Sequence, residues 1–322
     1  MKAVRVHETG GPEKLVYEEV PKPSPGPNQA LVKIHAIGLN FIDIYYRTGL
    51  YKAPPPLIPG AEAAGVVEAV SDDMTIVKPG DRVAYAGPLG AYAEYAVVNA
   101  WQLVNIPDSI DYKTAAAVML QGMTAHYLTH STFPLRSGET VLLHAAAGGV
   151  GLLMIQLAKK IGAKVIGTVS TEEKARLAQA AGLDHVILYQ HADFEQEVKK
   201  ITKEVGVDVV YDSVGRATFN KSLSCLKRRG MMVLFGQSSG PVPPFDLSLL
   251  NSKGSLYITR PGLPYYTATR EELLWRSADI LQWVSEGSLK VRVDQEYPLR
   301  EAAKAQIALE TRQTAGKVLL IP

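Results

Sequence analysis

The sequence predicts an α/β fold, a doubly wound parallel sheet inserted in a mostly β domain. Three observations carry that prediction. Residues 2 to about 105 are short β-branched and aliphatic runs punctuated by Gly and Pro. From about residue 110 the pattern becomes an alternation of strand-like and helix-spaced segments. At the head of that alternation stands HAAAGGVG, residues 144–151, between an apolar strand-like run and a long apolar helix-like one.

In the first region the strand-like runs are KAVRVHE, LVYEEV, QALVKIHAIGL, EAAGVVEAV, DRVAYAG and AEYAVVNA. PKPSPGPN and KAPPPLIPG lie between apolar runs and read as surface turns rather than linkers. DYKTAAAVMLQGMTAHYLTH has helical spacing and leads into the strand ETVLLHA. Then come helix GVGLLMIQLAKKIGA, strand KVIGTV, helix TEEKARLAQAAGL, strand HVILY, helix FEQEVKKITKEV, strand VDVVYDSV, helix ATFNKSLSCLKRRG, and strands GMMVLFG and SLYIT. Strand and helix in that order imply right-handed crossovers and a parallel sheet of about six strands. The remaining helix TREELLWRSADILQWVSEG, strand VDQEYPL, helix REAAKAQIALETR and strand GKVLLIP are expected to return to the first domain. The predicted division is therefore 1–125 with 266–322, and 126–265.

With 47% hydrophobic and 20% charged residues among 322, the chain can build two packed cores. A formal charge of +2 is too balanced to attract nucleic acid or a membrane by long-range field, so an anionic ligand must be held by local geometry. One cysteine, Cys225, excludes an intrachain disulfide and any zinc site built from several thiolates. No apolar run is long enough to span a membrane, and the N-terminal residues lack a continuous apolar segment, so a cytoplasmic protein is expected.

The glycine turn resembles the Rossmann fingerprint G-x-G-x-x-G, whose backbone approaches a dinucleotide pyrophosphate. Its six positions are Ala146, Ala147, Gly148, Gly149, Val150 and Gly151, so the first glycine is an alanine. A glycine-rich packing turn is the alternative reading. An NAD site ends its second strand in an acid that accepts from the ribose hydroxyls. Here Ser170 lies 22 residues beyond Gly148, followed by Thr171, with Lys174 a turn on and Tyr189 ending the third strand. A charge-assisted hydrogen bond contributes about 1.5–3 kcal/mol, so one lysine on a 2′-phosphate favours NADPH over NADH. The alternative for Lys174 is a solvated helix lysine beside Glu172 and Glu173.

The segments GLNFIDIYYRTGLY, PGAEAAGVV, GDRVAY, HAAAGGVGL, VVYDSVG, GSLYITRP and LLIP together resemble the zinc-independent quinone oxidoreductases, the zeta-crystallin-like branch of the medium-chain dehydrogenase/reductase superfamily. The resemblance spans essentially the whole chain and implies a GroES-like catalytic domain around a Rossmann domain. Zinc alcohol dehydrogenases of that superfamily place a metal-ligating Cys where this sequence has Asn40, and a His where it has Ala61. No metal site is therefore expected. His126 and His130, at i, i+4, lack the Glu of an H-E-x-x-H site and read as packing residues, as does His144; Glu62 reads as a carboxylate paired with a base or an amide. Without a Lewis acid the acceptor should be intrinsically electrophilic, which suits a quinone and, next, a conjugated enone or alkenal.

The resemblance places nicotinamide and substrate in an interdomain cleft lined by Asn40, Phe41, Ile42, Asp43, Tyr45, Tyr51, Gln121 and Tyr127. Tyr45 and Tyr51 are candidate phenol donors to a quinone oxygen, with aromatic packing as the alternative. Asn40 would orient the nicotinamide ribose or the acceptor, and Asp43 is as readily a structural carboxylate. Cofactor contacts are expected from Gly148, Gly149, Val150, Gly151, Ser170, Thr171, Lys174, Tyr189 and Ser213, and from the strand ends Phe235, Gly236, Gln237, Ser238, Pro261, Gly262 and Leu263. Arg312 and Lys317 are candidate phosphate ligands, with a surface salt bridge as the alternative for Arg312. The run SLYITR would be an exposed sheet edge, so a homodimer pairing that strand with its copy is expected. A non-catalytic NADPH-binding protein, structural or RNA-binding, is the reading from a different class.

Overall fold

The computed structural model describes residues 1–71 and 75–322. They form two compact units, Met1–Met123 with Tyr266–Pro322, and Thr124–Tyr265.

The first unit is organised by a seven-stranded sheet. Its spine, Gln29–Leu39, buries Val32, Ile34, Ile37 and Leu39 in a core shared with Val4, Tyr85, Tyr92, Leu103 and Leu320. Glu62–Val70 and Tyr95–Asn99 pair antiparallel with the spine. So does the late strand Lys317–Ile321, with Val318 opposite Leu39 and Leu320 opposite Ile37. The tail thus rejoins the β-rich unit through backbone hydrogen bonds. A short helix, Phe41–Arg47, follows the spine directly. Seven residues show too little of a 3.6-residue period to be found by pattern, but its start has a chemical signature. Asn40 stands at the N-cap, and the Asp43 carboxylate accepts the Asn40 N–H at 2.9 Å.

The second unit holds a six-stranded, all-parallel sheet in the order His185–Leu188, Lys164–Val169, Thr140–Leu143, Val207–Asp212, Leu226–Leu234 and Tyr257–Thr259. The strand that comes first in sequence, Thr140–Leu143, is central and the order reverses beside it, which opens a crevice at the carboxyl ends of the strands. One boundary differs from the sequence reading. The segment read as helix through LKRRG is helical only over Phe219–Cys225, and Leu226–Leu234 is strand. Between the pairs Val207–Leu226 and Val209–Met231 the register shifts, with Arg229 at φ +59°, so the bulge turns Arg228 and Arg229 toward solvent inside a strand while Lys227 pairs with Asp208. The expected helix through residue 130 likewise ends at Tyr127 and finishes as a π-turn, Leu128–Thr132.

Cys225 is packed among Val207, Val210 and Met232, and burial pushes its thiol up to about 12. The native protein is expected to resist iodoacetamide at pH 8 and to alkylate quantitatively in urea, as read by intact mass. Rapid labelling of the native chain would contradict this packing.

Candidate functional site

The glycine turn begins where Thr140–Leu143 ends. The His144 N–H donates to Tyr211 O at 3.1 Å, and the Ala146 N–H to Thr168 O at 3.1 Å, so the turn is stitched to both neighbouring strands. Gly148 is the extended N-cap of the helix Gly149–Ile161, and no side chain caps it. A Cβ on Gly151 would stand 2.6 Å from both Ala145 O and Ala146 O, so only glycine lets the helix approach the strand this closely. The alanine in place of the first glycine is accommodated next door: a Cβ on Gly167 would lie 2.7 Å from the Ala146 methyl. The missing glycine has in effect moved to the adjacent strand, where KVIGTV carried the signal.

The first N–H groups of an α-helix have no intrahelical acceptor and sit at the positive end of its dipole. With no side chain at the cap, those of Gly149, Val150 and Gly151 have the polarity that a pyrophosphate needs. Half-buried Ser170 follows the second strand. Thr171 caps the helix Glu172–Ala180 and accepts the Lys174 N–H at 3.3 Å, which leaves its hydroxyl proton for another acceptor. Tyr189 is 37% exposed beyond the third strand. Asp212, absent from the sequence-derived site, anchors the loops beyond: its carboxylate accepts Val214 N–H at 2.7 Å, Gly215 N–H at 3.0 Å and Thr218 Oγ1–H at 2.6 Å. Its carbonyl accepts Phe235 N–H at 2.9 Å, and Ser213 O accepts Ser238 N–H at 3.1 Å. Gly236 is closely packed on Ser213, so Ser213 and the segment Phe235, Gly236, Gln237 and Ser238 form one surface. Pro261, Gly262 and Leu263 are half-buried just past the edge strand.

In the β-rich unit, sheet register brings together three residues far apart in sequence. Pairing of Leu39 with Val318 and of Ile37 with Ala63 sets Asn40, Glu62 and Lys317 side by side. Gly38 gives them room, since a Cβ there would lie 2.3 Å from Glu62 Oε2. Lys317 Nζ donates to Asn40 Oδ1 at 2.9 Å and to Glu62 Oε2. Asn40 Nδ2 donates to Glu62 Oε2 at 2.8 Å and to Gly38 O at 2.9 Å, and Leu120 N–H donates to Glu62 Oε1 at 2.5 Å. Lys317 is 1% exposed and Glu62 0%.

Three expectations change here. Lys317 does not present its ammonium to an outside phosphate, because the buried Glu62 charge holds it. The amide hydrogens of Asn40 are both spent inside the unit, so it is a positioning group rather than a donor to cofactor or acceptor. Asp43 is fully buried: Oδ2 accepts the Tyr92 hydroxyl at 3.1 Å while Oδ1 has no partner, so its carboxyl is structural rather than cofactor-facing.

Burial raises the Asp43 pKa to about 7, outweighing the Asn40 amide, Lys317 and Tyr92, which lower it. A folded-state pKa above the unfolded value favours folding at low pH, and the contribution is lost as pH rises from 3.8 through about 7. Asp43→Asn is expected to abolish that slope, at most ~1.4 kcal/mol per pH unit. Urea titrations at several pH values test this, and wild-type and variant stabilities that run parallel with pH would refute it.

On the exposed side of the helix Phe41–Arg47, an aromatic group forms: Tyr45 lies 6.3 Å from Phe41 and 5.2 Å from Tyr51 between ring centroids, and Tyr46 meets Tyr51 edge-on at 5.8 Å. Tyr51 also walls a recess of about 410 Å³ with Thr9, Gly49, Lys52, Ala53 and Pro54. Ile42 and Gln121 are half-buried, Tyr127 is buried and Arg312 is exposed. His126 and His130 stack at 4.3 Å, and His130 Nδ1 lies 2.9 Å from Thr129 Oγ1. Among the described residues no group of three or more His, Cys, Asp or Glu is arranged to hold a metal ion.

Residues 26–108 match the alcohol dehydrogenase GroES-like domain and residues 149–267 the zinc-binding dehydrogenase family. The quinone oxidoreductase of Pseudomonas aeruginosa is 48% identical over 100% of this chain and 99% of its own. The 2-haloacrylate reductase of a Burkholderia species is 44% identical over 99% of this chain and 98% of its own. A crystal structure of Escherichia coli quinone oxidoreductase complexed with NADPH superposes with a TM-score of 0.98 at 46% identity, covering 100% of both chains. The sheet order, the glycine turn and this full-length similarity agree: the chain belongs to the quinone oxidoreductase family of the medium-chain dehydrogenases/reductases.

Proposed function

We propose that the protein is an NADPH-dependent quinone oxidoreductase. The observation that carries this reading is the glycine turn at the carboxyl edge of the sheet, with a serine, a threonine and a lysine where an NAD site has an acid. The NADPH-bound E. coli relative supports it. The backbone N–H groups of Gly149, Val150 and Gly151 bind the pyrophosphate. Ser170, Thr171 and Lys174 hold the 2′-phosphate, and Tyr189 flanks the adenine. Ser213, Gln237, Ser238 and the Pro261–Leu263 loop line the nicotinamide side. Bound there, NADPH supplies hydride at its nicotinamide C4. The Tyr45 and Tyr51 phenols donate hydrogen bonds to a quinone oxygen, whose developing charge the aromatic ring delocalises.

The end strand Tyr257–Thr259, with Tyr257 56% exposed, supports a homodimer in which that edge pairs with its copy. A single, buried cysteine suits a cytoplasmic protein. No helix among the described residues is long and apolar enough to cross a membrane.

Following NADPH absorbance across a panel of quinones and enones tests the activity. Quinone-dependent oxidation is expected, with KM for NADPH at least about tenfold below that for NADH. Turnover of enones alone would replace quinone as the acceptor class. Tight NADPH binding with no turnover of any acceptor would leave a non-catalytic binding protein.

A further inference from the structure

Four polar side chains in the parallel-sheet unit are buried together without a role in the chemistry just described. His144 Nδ1 lies 3.0 Å from Thr168 Oγ1 and its Nε2 2.9 Å from Ser222 Oγ, and Ser222 Oγ lies 3.4 Å from Asp212 Oδ2. None is more than 3% exposed. Phe194 meets the imidazole edge-on at 4.8 Å. Burying four polar groups is costly compared with an apolar quartet of the same volume. Their arrangement therefore calls for a purpose beyond packing.

We propose that this chain, Thr168 to His144 to Ser222 to Asp212, locks the nucleotide cradle in its binding shape, with His144 as the central positioning residue. The proposal rests on the NADPH reading above. The direction of the chain follows from its ends. Asp212 accepts from two backbone N–H groups and from Thr218, so its carboxylate also accepts the Ser222 hydroxyl proton. Ser222 Oγ then accepts from His144 Nε2–H, and the unprotonated Nδ1 accepts the Thr168 hydroxyl. His144 is accordingly a neutral imidazole with its proton on Nε2. Burial also disfavours the imidazolium.

Three of the four touch the cradle directly, and Ser222 links His144 to Asp212. Thr168 accepts the Ala146 N–H on its carbonyl, and its strand, Lys164–Val169, ends immediately before Ser170. His144 opens the glycine turn. Asp212 holds the Val214 and Gly215 amides, and its carbonyl receives Phe235. One chain of hydrogen bonds thereby fixes the pyrophosphate turn, the 2′-phosphate strand end and the nicotinamide-side loops relative to one another.

The test compares isosteric with hydroxyl-keeping variants, using NADPH fluorescence to measure Kd and circular dichroism to confirm folding. Thr168→Val keeps shape and loses the donor, and is expected to raise Kd about tenfold. Thr168→Ser keeps the donor and loses a methyl, and is expected to stay within about twofold. Ser222→Ala should also cost about tenfold, and the double variant Thr168→Val/Ser222→Ala about tenfold rather than a hundredfold, because both act through His144. Purely structural packing would reverse the order of the two Thr168 variants. Nitrogen-15 NMR of wild-type His144, which needs no variant to fold, should show the Nε2–H tautomer. An Nδ1–H or imidazolium signal, unchanged affinity in Thr168→Val, or multiplying effects in the double variant would overturn the proposal. Wild-type protein that fails to bind NADPH would instead remove the reading on which it rests.

Discussion

Replacing Lys317 by Met is expected to lower the free energy of unfolding by about 3–5 kcal/mol, the largest loss of stability predicted for any single side chain here. The reason is what stays behind. Glu62 is fully buried and accepts from Leu120 N–H, Asn40 Nδ2 and Lys317; without the ammonium its charge stands in the sheet interior with only dipoles to answer it. Adding Glu62→Gln removes that charge, and the double variant is expected to recover most of the loss, since an absent buried pair costs far less than half of one. Urea denaturation of the two single variants and the double variant checks this. Additive losses would show that Lys317 contributes by packing its methylenes rather than by meeting Glu62.

Gly151→Ala is expected to weaken NADPH binding by about a hundredfold and to destabilise the parallel-sheet unit by roughly 1–3 kcal/mol. The new methyl would overlap two backbone carbonyl oxygens at 2.6 Å, and neither is the tip of a flexible side chain. The helix would have to withdraw from the strand, taking its N-terminal amides away from the phosphates. Gly148→Ala is the informative control. Its φ of −74° suits any residue, and its Cβ would meet only Ala145 O, at 3.1 Å, so it is expected to require a smaller adjustment than Gly151→Ala and to destabilise the fold less. Fluorescence titration with NADPH and thermal melts distinguish the two. Equal affinity for Gly151→Ala and wild type would remove the glycine turn from the binding site.

Much of this molecule was legible in the linear pattern because the features are local. The alternation after residue 110 is set by runs of Val, Ile and Leu separated by helix-spaced segments, and the parallel sheet forms where it predicts. The turn before Gly149–Ile161 reads the same way in sequence and in space. Register, by contrast, is not local. Asn40, Glu62 and Lys317 meet only because two antiparallel ladders align Leu39 with Val318 and Ile37 with Ala63, and nothing near Lys317 in sequence signals that its ammonium turns inward. Asp43 was visible as a structural carboxylate but neither as the capping partner of Asn40 nor as a fully buried group. The Asp212 chain escaped notice for a related reason. His144, Thr168 and Ser222 are unremarkable individually, and only the order of strands together with the packing of the helix Phe219–Cys225 sets their side chains end to end.

The pairing of Lys317 with Glu62 spans 255 positions of chain. A ribosome releases Glu62 early and Lys317 late, and the whole of Thr124–Tyr265 is synthesised between them. During that interval the acid has no cation beside it and the spine Gln29–Leu39 lacks one of its neighbours, whereas the intervening unit is contiguous and can assemble as it emerges. The inserted segment is thus complete in sequence before its host, whose core still lacks Leu299, Ala302, Ala305, Val318 and Leu320 as well as the cation for Glu62.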